Sequence, residues 1–249
     1  MKILNYQDEI YHIHTERCGH ATGSDRELIE ACIECGMKVM TVTDHAPFPG
    51  DPFGNRMKYI ELDEYLDTYA KLKQEYKDDI EIHTGLETEY FQQFEEYYQS
   101  LNRISELDAG LLLGQHMYYG NNAYSFTFDR EYLKLHEYEG LGQAVVQGIE
   151  SGYFRRVAHP DRIYRRYGSW DDNCETMAVK IIGAAVEKGI PLEINLHSVE
   201  RKQYRPEFWE LVTKEQDSII YYAPDAHSIE DIRKYTPRIE KFQKAEKAI

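Results

Sequence analysis

Short apolar runs alternate with longer amphipathic stretches along the chain. Tyr11–His14, Val39–Thr43, Ile80–Glu87, Ala109–Gln115, Arg156–His159, Pro191–Asn195 and Ser218–Ala223 read as strands. Val39–Thr43 is apolar without alternation, the mark of a strand buried on both faces. Helices are predicted near Asp63–Tyr76, Gln92–Ile104, Leu141–Ser151, Cys174–Lys188 and Glu207–Gln216, with a charged helix at the end. An earlier helix opens on a capping box, Ser24 and Glu27, sets Leu28, Ala31, Cys32 and Cys35 on one face, and stops at Gly36. Strands with helices between most of them predict an α/β fold, either a parallel sheet or a closed barrel. No repeat, low-complexity tract or linker interrupts the pattern, so residues 1–249 are expected to form a single domain. Two stretches depart from it. The Pro- and Gly-rich segment Ala46–Tyr59 is long for a loop between strand and helix, as lids and binding loops are. An irregular segment follows Gln115.

The predicted strand ends carry the chemistry. His12 and His14 close the first strand, His45 follows the second, and Glu87, His116 and His159 close the next three. Asp225 and His227 follow the last, and His20 lies in the loop after the first. Seven of the ten histidines are in this set. A strand puts His12 and His14 on one face, because strand side chains alternate. One such pair says little, since most hold no metal; Asp225-x-His227 is equally weak alone. In combination with Thr43-Asp44-His45, Gly85-Leu86-Glu87, Gly114-Gln115-His116 and Ala158-His159-Pro160 they point to a multi-metal hydrolase. Ligands at the C-terminal ends of strands are how β/α barrels assemble active sites, and imidazoles mixed with carboxylates suit zinc, iron or manganese.

Composition narrows the partners. The chain has 29 basic and 44 acidic side chains, a formal charge of −15. Such a surface repels nucleic acid, whose affinity comes largely from Lys and Arg on phosphates. A small phosphorylated substrate then needs local positive charge, which bound divalent ions supply. No run approaches the ~18 apolar residues of a membrane span, and Met1–His14 leaves no room for a cleavable signal segment, so a cytoplasmic location is expected. Cys32 and Cys35 form a CxxC, but no second CxxC completes a zinc site; they read as buried thiols on a helix.

The motifs His12-Ile13-His14, Thr43-Asp44-His45, a lone later histidine and Asp225-Ala226-His227 occur in the order found in the PHP (polymerase and histidinol phosphatase) superfamily. The chain resembles that superfamily from about Tyr11 to Ser228, and within it the histidinol-phosphate phosphatase group. The resemblance implies a distorted (β/α)7 TIM-like barrel holding three divalent transition-metal ions, Zn, Fe and/or Mn. It implies that His12, His14, Glu87 and Asp225 hold one metal. Glu87 bridges to a second, completed by His116 and His159, and His20, His45 and His227 hold the third. The implied reaction is hydrolysis of L-histidinol phosphate to L-histidinol and phosphate, in histidine biosynthesis, by a hydroxide that two metals generate from a shared water. Glu87, Asp225 and His227 are thus catalytic as well as ligating. A PHP-family enzyme acting on another small phosphate ester, or as a phosphodiesterase or nuclease, is the alternative; the acidic charge disfavours nucleic acid. Amidohydrolases also begin with HxH, but here no strand-end lysine fits their carboxylated bridge. A metal-storing protein would not need the lid-like loop.

Other positions follow less directly. Phosphate binding needs Arg or Lys near strand ends. The candidates are Arg162, three residues after His159; Arg56, in the long loop; and Arg201, after Glu193-Ile194-Asn195. The family's Thr-Ser-Gly after that segment is replaced here by Leu196-His197-Ser198, which bears on the substrate. His197 is a candidate to touch the substrate or protonate the leaving group. Asp44 reads either as the partner that fixes an imidazole or as a loop anchor. His83 reads as a satisfied core histidine and His136 as a surface one.

Overall fold

The computed structural model describes residues 1–4, 8–125 and 136–245. Part of the irregular segment after Gln115, residues 126–135, lies outside the described residues. All seven predicted strands form, within a few residues of their expected ends: β2 (Glu9–Ile13), β3 (Val39–Val42), β4 (Glu81–Thr88), β5 (Gly110–Leu113), β8 (Phe154–Val157), β9 (Leu192–Asn195) and β10 (Ile219–Ala223). An eighth, β1 (Lys2–Ile3), pairs parallel with β10; two residues are too few to show a periodic pattern. β6 (Tyr119–Gly120) and β7 (Ala123–Tyr124) make a small antiparallel hairpin. The helices are α1 (Asp25–Glu34), α2 (Leu62–Glu75), α3 (Glu95–Leu101), α4 (Glu137–Ser151), α5 (Asp172–Lys188), α6 (Leu196–Glu200), α7 (Pro206–Lys214) and α8 (Ile229–Ala245). The α/β class read from the pattern is the one found.

The chain divides into two compact units. The first comprises Met1–Leu4, Thr88–Tyr98 and Leu112–Tyr221. In it β1, β10, β9, β8 and β5 are hydrogen-bonded neighbours in that order. α4 packs on α5, and α5 on α7. Leu112, Leu113, Val157, Leu192 and Ile220 are buried along its strands. The short α6 was not expected. The Asn195 side chain caps it by accepting from Ser198 N–H, a signal hidden in a sequence that otherwise reads as the end of a strand.

The second unit comprises Asn5–Glu87, Gln99–Leu111 and Tyr222–Ile249. Here β2, β3 and β4 pair in parallel. The Ser24–Glu27 capping box is formed at α1, as read from sequence. Cys32 is fully buried, whereas Cys35 is the C-cap and only half-buried, so the two thiols do not share an environment. His83 is a correction too. It lies near the start of β4, a third exposed, ion-paired to Glu81 and Asp108 rather than enclosed in the core. His136 is exposed beside Glu139, as expected. Gly85 marks a tight approach: a Cβ there would sit 2.8 Å from the carbonyl oxygen of Gly110. That closeness sets the strand two residues before Glu87.

Candidate metal centre

Seven of the nine proposed ligands belong to the second unit, and backbone bonds between strand ends bring them together. Ile13 bridges to Ala226: His14 N–H donates to the Ala226 carbonyl, and Ala226 N–H to the His12 carbonyl. His45 bridges to Glu87, with Ala46 N–H donating to the Glu87 carbonyl. Thr22 N–H donates to the His227 carbonyl, tying the loop of His20 to the segment of His227.

The local backbone is unusual at three of the candidate ligands. His12 has φ +71° and Asp225 +54°, and in the first unit His159 has +31°. Left-handed conformations are uncommon outside glycine and cluster at functional sites. The register of β2 against β3 shifts between Tyr11 and Ile13, a bulge centred on His12. His12 and His14 do face the same point, as read from sequence, but strand alternation is not the reason. The bulge re-aims His12, while His14 lies one residue past the strand.

The geometry is that of donors gathered round shared points. His12 Nε2 lies 3.3 Å from Glu87 Oε2 and 3.4 Å from Asp225 Oδ1. His14 Nε2 lies 3.2 Å and 3.3 Å from the same two oxygens. His45 Nδ1 is 3.2 Å from Glu87 Oε2 as well. One carboxylate oxygen is thus approached by three imidazoles. His12, His14 and Glu87, and separately His14, His45 and His227, have donor atoms close enough to hold an ion. All but His20 and His227 are buried.

Whether these residues fit a metal can be decided from hydrogen-bond polarity. His227 Nδ1 lies 2.9 Å from the Asp225 carbonyl, and His20 Nδ1 lies 3.0 Å from the Cys18 carbonyl. A carbonyl only accepts, so both Nδ1 atoms carry the proton and both neutral rings present lone pairs at Nε2. Those two Nε2 atoms are 3.0 Å apart. Two facing lone pairs repel unless a cation lies beside them. Electrostatics agree. Burial opposes charge on His14, but Cys18, Asp225 and Glu87 outweigh it and hold its pKa well above the usual histidine value. Burial and the His14 charge push His227 down to about 3. The cluster therefore calls for positive charge yet rejects a proton at His227, and divalent ions on neutral imidazoles satisfy both demands.

Asp44 is fully buried and turned away from the cluster. It accepts from Thr15 N–H (2.7 Å), the Thr15 hydroxyl (2.8 Å) and the Cys18 thiol (2.9 Å). Burial raises its pKa against the pull of His14, Cys18 and Thr15. Cys18, which the sequence reading gave no role, touches His14 Nδ1 at 3.2 Å. Its signal was its position, four residues after His14 and two before His20.

In the first unit His116 and His159 stand with ring centroids 4.9 Å apart. Gln115 fixes the segment before His116, accepting from Tyr90 N–H and donating to the carbonyls of Tyr90 and Met117. Arg162 is half-buried and held in place. Its Nε donates to Ser198 Oγ and its Nη2 to Asn195 Oδ1, both at 3.0 Å. Asn195 in turn donates to the buried Glu193, which also accepts from Tyr221. His197 is half-buried on α6, and Arg201 is exposed at the C-cap of that helix. In the second unit Arg56 donates to the Ala46 carbonyl and packs against the rings of Phe48 and Phe53, which meet edge to face, so the long loop folds on itself.

The PHP domain family model matches residues 11–197, most of the chain. The chain belongs to the PHP domain family. Among its relatives, the "Probable histidinol-phosphatase" of Deinococcus radiodurans is 28% identical over 195 residues, covering 74% of this chain and 71% of that protein. The histidinol-phosphatase of Bacillus subtilis is 25% identical over 252 residues, covering 89% and 94%. The crystal structure of histidinol phosphate phosphatase from Lactococcus lactis, complexed with zinc, L-histidinol and phosphate, shares the fold. Its TM-score is 0.68 at 19% identity, over 97% of this chain and 94% of that one. Among the described residues, no helix of this PHP protein is long and apolar enough to cross a membrane.

Proposed function

We propose that the chain is a metal-dependent phosphomonoesterase that hydrolyses L-histidinol phosphate to L-histidinol and phosphate, a step of histidine biosynthesis. The observation that carries the reading is the set of buried imidazoles and carboxylates facing one another at 3.2–3.4 Å in a PHP chain. The substrate rests on the names of the sequence relatives. Residues 1–249 act as one PHP phosphoesterase domain in the cytoplasm, with a small phosphorylated substrate and no nucleic-acid or membrane partner.

His12, His14, His20, His45, Glu87, Asp225 and His227 hold metal, with His116 and His159 as the other two ligands of a three-metal set drawn from Zn, Fe and Mn. Bound divalent ions supply an acidic water at neutral pH and the positive charge that offsets the phosphoryl oxygens. The side chains supply the rest. Glu87, reached by three imidazoles at one oxygen, keeps the donors in register. Asp225 orients His227 through its backbone carbonyl, so that the Nε2 lone pair points inward. Arg162, held in one orientation by Asn195 and Ser198, is the guanidinium that meets the phosphate. His197 protonates the leaving alkoxide, and Arg56 and Arg201 are the further substrate contacts.

The test is kcat/KM of metal-replete protein on L-histidinol phosphate, other monoesters and a phosphodiester. Preference for histidinol phosphate by at least about a hundredfold, roughly 2.7 kcal/mol in the barrier, is the expected result. Equal or better turnover of another ester moves the specificity elsewhere in the family, and preference for the diester replaces the monoesterase reading.

A further inference from the structure

His14 is gripped from both sides. Its Nε2 faces Glu87 and Asp225, while its Nδ1 lies 3.2 Å from Cys18 Sγ. Cys18 Sγ is in turn 2.9 Å from Asp44 Oδ1, and Asp44 is anchored by the backbone N–H and hydroxyl of Thr15. His14, Thr15, Cys18 and Asp44 are all shut off from solvent. Hydrogen-bond polarity then runs one way. If Nε2 gives its lone pair to a metal, Nδ1 must carry the proton. The acceptor of that proton is sulfur. A sulfur that accepts can still donate its own S–H, and its neighbour Asp44, as carboxylate, only accepts.

We propose that Cys18 is a positioning residue: a thiol inserted between the Asp44 carboxylate and the His14 imidazole, fixing the tautomer and ring orientation with which His14 binds metal. Metal-bound histidines commonly donate their far N–H to a carboxylate or a carbonyl, and loss of that partner costs affinity. Here His20 and His227 use carbonyls. His14 reaches a carboxylate through a side chain that can accept from the imidazole and donate to Asp44, which Thr15 pins. This rests on reading His14 as a ligand.

The same three side chains, His14, Cys18 and Asp44, stand close enough to hold an ion themselves. The geometry argues against that. An ion there would take Nδ1 and place the ring's proton at Nε2, facing Glu87 and Asp225, and it would compete with the two Thr15 donors for the Asp44 oxygens.

The test compares wild type, Cys18→Ala and Cys18→Ser by chelator competition for zinc, with melting of the metal-free proteins as a control for folding. Cys18→Ala should lower zinc affinity about 10–100-fold, and Cys18→Ser, which can both accept and donate, should recover most of it. An affinity for Cys18→Ala within about threefold of wild type overturns the proposal. Cobalt-loaded wild type gives a second reading that needs no variant. The proposal expects no thiolate-to-cobalt charge-transfer band, and a strong band makes Cys18 a ligand and overturns it. If wild type binds neither zinc nor cobalt, the reading of His14 as ligand fails first. If it binds both and Cys18→Ala binds them equally, only the relay fails.

Discussion

Two buried polar clusters, one in each unit, are built in opposite ways. In the first, polar groups close on one another. Asp161 accepts from Arg205 N–H and the Trp209 indole, even though burial pushes its pKa up to about 6. Glu193 accepts from Asn195 and Tyr221, and Asn195 holds Arg162. In the second, Glu87 and Asp225 meet imidazole nitrogens at 3.2–3.4 Å, and two imidazoles meet nitrogen to nitrogen. Buried polar groups are stable when each donor finds an acceptor, and costly otherwise. A network closed within the protein holds shape. A set of acceptors turned on a common point is stable only around something that is not protein.

Removing a ligand should break this contrast most sharply. Glu87→Ala should lower kcat at least about 10³-fold, several kcal/mol of barrier, while circular dichroism stays native. Activity within about tenfold of wild type would show that Glu87 does not organise the donors. The next largest effect is on stability. With free metal at a hundred times its Kd, chelation should cost about 2.7 kcal/mol. Hydrogen exchange should place the loss around His12, His45, His159 and Asp225, sparing α7 around Trp209. Uniform loss across both units would erase the distinction.

Within the first unit, Arg162→Lys keeps the charge but loses the fork that Asn195 and Ser198 brace. KM for the phosphate ester should rise about tenfold, the scale of one charge-assisted hydrogen bond, with kcat less affected. Unchanged KM would leave Arg162 a structural brace. The smallest effect is expected at Trp209→Phe, which removes one donor from Asp161. Stability should fall by about 1 kcal/mol, the net worth of one hydrogen bond, since Arg205 N–H still meets Asp161, and kcat/KM should stay within about threefold.

Local pattern explains why much of this was legible in sequence. Strands, capping box and candidate ligands are written in short segments: Val39–Val42 has its apolar run, Ser24 and Glu27 their spacing, and most of the candidate ligands a place at or just past a strand end. What depended on distant residues was not legible. The bulge at His12 exists because β2 must meet both β3 and Ala226. Arg56 is packed against Phe48 and Phe53 by the folding of its own loop, and α6 is capped by a strand residue, Asn195. Asp44 was read either as a partner for an imidazole or as a loop anchor, and its contact with Cys18, which also touches His14, was not read, because nothing local to Cys18 announces it.

The most direct measurement of the central claim is elemental analysis of the protein after exposure to zinc, iron or manganese and exhaustive dialysis, wild type beside Glu87→Ala. The account predicts more than one tightly held transition-metal ion per wild-type chain, and fewer in the variant. Less than one equivalent of each of the three metals in folded wild-type protein would contradict it.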